Sequence, residues 1–192
     1  RLDELMEIYY NSVGRNALLL LNVPPDNRGL ISAEDSAVLM AFRQERDRIF
    51  SKDLAQGAKI DAYCEYGDRL KDKTDQCHPT SNLTDTSYHT YWTIQGKDTS
   101  NITLIVELPE VQEIDMVMLQ EYIPLGQRVT KFSIAYADPN GGMIIAEGTT
   151  IGYKRIVRFS LPIRTKTLYI HIVHALAPPV INRIALYNTQ AQ

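Results

Sequence analysis

Leu2, Leu5, Met6 and Tyr9 recur three and four residues apart, the spacing that gathers side chains on one face of an α-helix, and Gly14 stands where such a helix would stop. Asn16-Ala17-Leu18-Leu19-Leu20-Leu21-Asn22-Val23 follows as an apolar run closed by Pro24-Pro25. A run without alternation predicts a strand buried on both faces, as in parallel sheets. Beyond Pro24-Pro25-Asp26-Asn27-Arg28-Gly29 a second helix is predicted, with Ser32 as its cap and Asp35 as the acidic partner of a capping box. Val38, Leu39, Phe42 and Ile49 give this helix one apolar stripe, with Arg and Glu on the other side. Helix, buried strand and helix form a piece of α/β architecture, so the strand's neighbours are expected from sequence outside this chain.

From Leu54 onward the pattern shortens to alternating runs punctuated by turn residues. Thr103 to Leu108 alternates with Leu104, Val106 and Leu108 on one face, and Ile114 to Tyr122 follows Leu108-Pro109-Glu110. Val129 to Tyr136 leads into Asp138-Pro139-Asn140-Gly141-Gly142, a hairpin-loop signal. Arg155 to Leu161, Thr167 to Val173 and Val180 to Tyr187 complete the set, rich in β-branched and aromatic residues. Many short strands at this spacing predict a mostly β protein built as an antiparallel sandwich. The division expected is 1–52 and 53–192, with the boundary near Phe50 to Leu54.

Length and charge narrow the choice of function. The 192 residues suit one domain and a fragment of another. A net charge of -3 carries no basic stripe of the kind that displaces phosphate counterions, which argues against a nucleic-acid partner. Leu18 to Leu21 is far too short to span a membrane. The chain opens on Arg1 inside an amphipathic pattern, so a targeting signal is expected upstream. Cys64 and Cys77 are the only cysteines, and they read either as two thiols or as one disulfide pinning the intervening loop.

Candidate chemistry is sparse. His171 and His174 look like a metal pair, but residues three apart on a strand face opposite sides, so one packed and one solvated imidazole is expected. His78 and His89 have no partner spacing. Glu107, Asp115 and Glu121 are carboxylates of the type a glycosidase uses in pairs, yet each lies in strand sequence where an outward, solvated group is expected. No nucleophile elbow, phosphate loop or dinucleotide fingerprint is present, and no catalytic residue is assigned. The loop Asn82-Leu83-Thr84-Asp85-Thr86-Ser87-Tyr88-His89-Thr90-Tyr91-Trp92 is rich in oxygen donors. Asn82, Asp85, Ser87 and Thr90 are its candidate ligands for Ca²⁺, and the preferred alternative is a turn leading into a strand with Trp92 in the core. Tyr88, Tyr91, Tyr122 and Tyr153 are candidate stacking surfaces for a sugar or half-buried scaffold. Asn82-Leu83-Thr84 and Asn101-Ile102-Thr103 fit the glycosylation sequon.

Three motifs together resemble one family. The stretch from Tyr9 through Asn16-Ala17-Leu18-Leu19-Leu20-Leu21-Asn22-Val23-Pro24-Pro25 to Asp26 is similar to the closing barrel segment of glycoside hydrolase family 29. Leu119-Gln120-Glu121-Tyr122-Ile123-Pro124-Leu125-Gly126-Gln127-Arg128-Val129 and Gly148-Thr149-Thr150-Ile151-Gly152-Tyr153-Lys154-Arg155 resemble its C-terminal sandwich, in the branch that cleaves α-1,3 and α-1,4 linked fucose. The resemblance implies a helix-strand-helix remnant of a (β/α) barrel before a galactose-binding-like sandwich. It also implies a retaining α-L-fucosidase whose nucleophilic Asp and acid/base Glu lie upstream, acting on fucosylated glycans in a periplasmic or extracellular setting. Asn22 to Asp26 would then either rim the substrate pocket or only start the last helix. With its barrel remnant exposed, the chain is expected to pack Leu18 to Leu21 on the sandwich or on a second copy. In the sandwich, Asp85, Thr90 and Trp92 match a discoidin-type Asp-x-x-x-x-Thr-x-Trp. Members of that fold often hold structural Ca²⁺ with this loop and a Glu near the last strand, where Arg183 stands here. The expectation is that Arg183 pairs with Asp85 in place of the metal, and no cofactor is assigned.

Overall fold

The computed structural model describes residues 1–64, 78–94, 99–138 and 141–190. Two helices, α1 (Leu2–Asn11) and α2 (Ala33–Phe50), come first. The strands follow as β1 (Lys59–Tyr63), β2 (Trp92–Thr93), β3 (Ser100–Glu121), β4 (Val129–Asp138), β5 (Gly141–Gly148), β6 (Arg155–Ala175) and β7 (Val180–Tyr187). Cys77, and with it the Cys64–Cys77 disulfide question, lies outside the described residues, as do Pro139 and Asn140 of the expected hairpin loop.

Local chemistry fixes the helices as the sequence predicts. Ser32 caps α2 by accepting from the Asp35 N–H at 3.0 Å, while its hydroxyl donates to the Asp35 carboxylate at 2.9 Å. After α1 the chain turns at Gly14, where a β-carbon would stand 2.5 Å from the Tyr10 carbonyl oxygen and 3.1 Å from Ile156. Only glycine permits that approach, and the Ile156 N–H then reaches the Gly14 carbonyl at 2.8 Å.

All strand pairs are antiparallel, in the order β2-β7-β3-β6-β4-β5 with β1 also on β3. The four runs read as separate strands are the halves of two long ones: Thr103–Leu108 and Ile114–Tyr122 fall largely in β3, Arg155–Leu161 and Thr167–Val173 in β6. Register shifts between Glu107 and Gln112, and between Ile114 and Met116, carry the ladder across the gaps between these runs. Pro109 lies in the unpaired stretch of β3 and Pro162 in that of β6, positions where a missing N–H costs the ladder nothing.

The bends let each long strand serve two layers. The first half of β3 pairs with β1 and with the end of β6, and its second half pairs with β7 and the start of β6. Between the layers lie Trp92, Leu104, Val106, Leu108, Val117, Leu119, Phe132, Ile170, Ile184 and Leu186. On the outer face of the second layer, Met116, Met118, Ile156, Ala185 and Tyr187 pack against Met6 and Tyr10 of α1 and Phe42 and Ile49 of α2. Phe50 closes this outer core edge-on to Tyr187, ring centroids 5.0 Å apart.

The run predicted to be a doubly buried strand is not one here. Residues 17–24 have no regular structure, and Leu18 and Leu20 are 90% and 88% exposed. Arg15 bridges Arg155 and Pro25 bridges Ile31, but no strand is offered to the leucines between them. The expectation that the run packs on the sandwich fails for Leu18 and Leu20: the outer face of the sheet is already covered by the two helices.

Candidate functional site

The loop before β2 is built by hydrogen bonds to its own oxygens. A 3-10 turn at Thr80–Thr84 leads into Asp85, whose carboxylate accepts from the Ser87 N–H at 2.9 Å and the Thr90 hydroxyl at 2.7 Å. Asn82 donates its amide to the Tyr91 carbonyl at 2.9 Å, and Trp92 is buried in the core, 2% exposed. The amide of Asn182, on β7, donates to the carbonyls of Ser87 at 3.0 Å and Thr90 at 2.6 Å. Asn82, Asp85, Ser87 and Thr90 are thus gathered in one loop, and a neutral amide faces the two carbonyls that a hard cation would need. Among the described residues no group of three or more His, Cys, Asp or Glu side chains is placed to hold a metal ion.

Arg183 does not pair with Asp85. Its guanidinium meets Asp53 at 3.2 Å, and Asp53 also accepts from the N–H groups of Ala55 and Leu186 at 2.9 and 3.1 Å. Asn182 and Arg183 are adjacent on a strand and face opposite ways, so only Asn182 can reach the loop. Asp53 stands just beyond the C-cap of α2, where no sequence signature marks it.

The candidate tyrosines fall into two kinds. Tyr91 lies between His78 and Tyr122, with centroid distances of 4.0 and 4.7 Å and ring planes within 20° and 21° of parallel. Both of its faces are covered, so it offers none to a sugar. Tyr88 and Tyr153 are 57% and 54% exposed. Of the four, only Tyr91 and Tyr122 make ring contacts among the described residues.

Two of the three carboxylates expected to be solvated are buried. Glu107 is exposed and 3.6 Å from Lys166. Asp115, 7% exposed, accepts from the backbone N–H of Thr189 at 2.9 Å and from its hydroxyl. Glu121, 2% exposed, accepts from the N–H groups of Arg128, Val129 and Gly152 at 2.7, 2.9 and 2.7 Å. Burial is tolerated because the acceptors satisfy backbone donors that would otherwise be orphaned. These two carboxylates tie backbone segments down.

The histidines behave as expected of opposite faces: His171 Nδ1 is 2.9 Å from the Thr103 hydroxyl and His174 Nδ1 is 2.7 Å from that of Thr130, on different neighbouring strands. Burial holds His171 below the ordinary histidine pKa.

The three motifs that carry the family resemblance meet at one junction, a convergence the sequence does not display. Asn16, in the left-handed region at φ 67°, accepts from the Tyr153 N–H at 2.7 Å and donates to Gln127 at 3.2 Å. Gln120 donates to the Tyr153 carbonyl at 3.0 Å. Further on, Asp26 is bound to Arg28 at 2.7 Å and accepts from the Leu30 N–H, bracing the Pro24–Leu30 turn internally. Arg28 holds the Asp26 carboxyl below its usual range.

No protein-family model matches the chain. Among curated relatives, it is 37% identical over 184 residues to a protein of Oryza sativa subsp. japonica named provisionally as alpha-L-fucosidase 1, covering 96% of this chain and 34% of that protein. It is 33% identical over 186 residues to alpha-L-fucosidase 1 of Arabidopsis thaliana, covering 96% of this chain and 36% of that protein. Among solved structures, it resembles a family 29 fucosidase of Ruminococcus gnavus determined in complex with fucose, with TM-score 0.83, 28% identity, and coverage of 97% of this chain and 36% of that one. The sandwich shares its fold with a family 32 carbohydrate-binding module of C. perfringens determined with galactose, TM-score 0.58 at 19% identity over 70% of this chain and 96% of that one. The chain spans about a third of the length of the curated relatives it matches. The chain is therefore similar, over nearly its whole length, to a C-terminal part of α-L-fucosidases, and its solved neighbours include members of glycoside hydrolase family 29.

Proposed function

We propose that the protein to which this chain belongs hydrolyses α-1,3 and α-1,4 linked fucose with retention, its nucleophilic Asp and acid/base Glu standing outside these 192 residues. Residues 1–52 are the closing segment of the catalytic barrel and 53–192 the galactose-binding-like sandwich that buttresses it. The observation that carries this reading is the exposure of Leu18 and Leu20, 90% and 88%, between two helices that are themselves firmly packed. An apolar strand sequence left in solvent beside an ordered helix pair is what a barrel strand looks like without its neighbours. Fucosylated glycans are the substrate class.

The test is release of the aryl group from an aryl α-L-fucoside, by this chain alone and by the longer chain that continues upstream of Arg1. The longer chain should turn over and this one should not. Turnover by the chain alone, or none by the longer one, sinks the reading. A second reading, sugar binding by the sandwich itself, is supported by the exposed rings of Tyr88 and Tyr153. Titration with fucose, galactose and Lewis-type oligosaccharides should saturate if that reading holds, and a flat titration removes it.

A further inference from the structure

A second site lies where α1 ends against β6. The antiparallel bridge between Arg15 and Arg155 sets the two residues directly opposite each other, and such residues project to the same face. Two like charges in that register repel, and a fold ordinarily avoids it or neutralises it. Neutralisation is missing here: the Nε of Arg155 is buried without a hydrogen-bond partner, and no carboxylate pairs with Arg15 or Arg155 among the described residues. Burial, with the charge of Arg15 next, depresses the Arg155 pKa, as expected of a guanidinium lacking a counter-anion.

Both arginines line a cleft of about 320 Å³ that also takes in Tyr10, Glu147 and Arg158. That volume is at the lower end of small-molecule sites. Arg158 is already neutralised, since Glu7 holds it in a forked pair at 2.6 and 2.9 Å and it lies 4.3 Å above the Tyr10 ring. It therefore forms a wall of the cleft, while Arg15 and Arg155 supply unmatched donors. Glu147 is exposed and makes no ion pair with either of them.

We propose that this cleft is an oxyanion site, taking a carboxylate or sulfate group of a small ligand between Arg155 and Arg15. With its Nε buried, the Arg155 guanidinium has its two terminal nitrogens left to present as a planar fork matched to two oxygens of such a group. The proposal is independent of the fucosidase reading, because it concerns a site with no catalytic residue.

Sodium sulfate, N-acetylneuraminic acid and neutral galactose are titrated into the chain, followed by calorimetry and by the Arg155 Nε–H resonance. Sulfate or the acidic sugar should saturate one site and shift that resonance, and galactose should do neither. Binding of sulfate alone assigns the site to free inorganic anions, and binding of the sugar assigns it to acidic saccharides. Arg155→Gln should weaken binding at least tenfold, and Arg155→Lys should recover it only in part. Arg155→Met serves as the folding control: with one of two facing charges removed, its melting temperature without anion should equal or exceed that of the parent chain. Absence of saturation by either anion, or equal binding by Arg155→Gln, overturns the proposal. So does a lower melting temperature of Arg155→Met, since it would mean the arginine already has a stabilising partner.

Discussion

Two apolar stretches of similar texture end in opposite surroundings. Leu18 and Leu20 are 90% and 88% exposed, whereas Met116, Val117, Met118 and Leu119 are at most 4% exposed. Hydropathy does not separate them. The second stretch has β7 and β6 on its edges, the sandwich core beneath Val117 and Leu119, and the helix pair above Met116 and Met118. The first has a single backbone bridge at its start and none along its leucines. An unbroken apolar run signals burial on both faces, but burial is realised only where the same chain supplies two edges and two faces.

The largest effect should come from the doubly buried stretch. Met118→Ala removes a side chain that plugs the contact between sheet and helices, and a buried Met to Ala change costs roughly 2–5 kcal/mol. Urea unfolding should show that loss with an unchanged slope. A loss below about 0.5 kcal/mol, the range of surface substitutions, would mean the helices do not cover β3 in solution.

Next is the carboxylate that ends this stretch. Glu121→Gln leaves one oxygen to serve three backbone N–H groups, those of Arg128, of Val129 at the start of β4, and of Gly152. Hydrogen bonds to a charged acceptor are worth about 1.5–3 kcal/mol each, so a loss of roughly 2–3 kcal/mol is expected. Glu107→Gln, on the exposed part of the same strand, should cost under about 0.5 kcal/mol. Equal losses would erase the distinction between the two ends of β3.

How much of this could be read beforehand follows from the same contrast. The capped helix at Ser32, the alternating face of Leu104, Val106 and Leu108, and the buried Trp92 are local signals, and local signals were legible. The runs on either side of Leu108-Pro109-Glu110 read as separate strands, because a sequence does not reveal that a register shift carries one strand through such a break. The outward reading of Asp115 and Glu121 failed for a different reason: their partners, Thr189 and Gly152, are distant in sequence and are backbone groups in part. Arg183 was assigned to Asp85 by analogy, but strand alternation sends it to Asp53 and gives the loop to Asn182. The loop oxygens form a set visible in the sequence, whereas the amide that holds them comes from a strand about 90 residues away.

The junction at Asn16 joins the two regions and should show an intermediate effect. Gly152 has φ +67°, and a β-carbon there would come within 2.4 Å of the Asn16 side chain. Holding a non-glycine residue in that conformation costs about 1–3 kcal/mol. Gly152→Ala should lose that much, and adding Asn16→Ala should recover the part due to the clash but not the part due to the backbone. Strict additivity of the two changes would mean that the side chains do not meet in solution.

The smallest effect belongs to the exposed run itself, and it is the sharpest test of the contrast. Leu18→Ser and Leu20→Ser remove large apolar groups that touch little in the folded chain, so each should shift stability by no more than about 0.5 kcal/mol, as for other surface positions. The same residues are the parts of this chain most suited to a second copy, since a free apolar segment with unpaired backbone invites pairing. The double variant should therefore sediment as a monomer at concentrations where the parent chain associates, with an unchanged urea midpoint. A destabilisation above about 1 kcal/mol at low concentration would place a partner for these leucines within one chain, and the two stretches would then differ in degree rather than in kind.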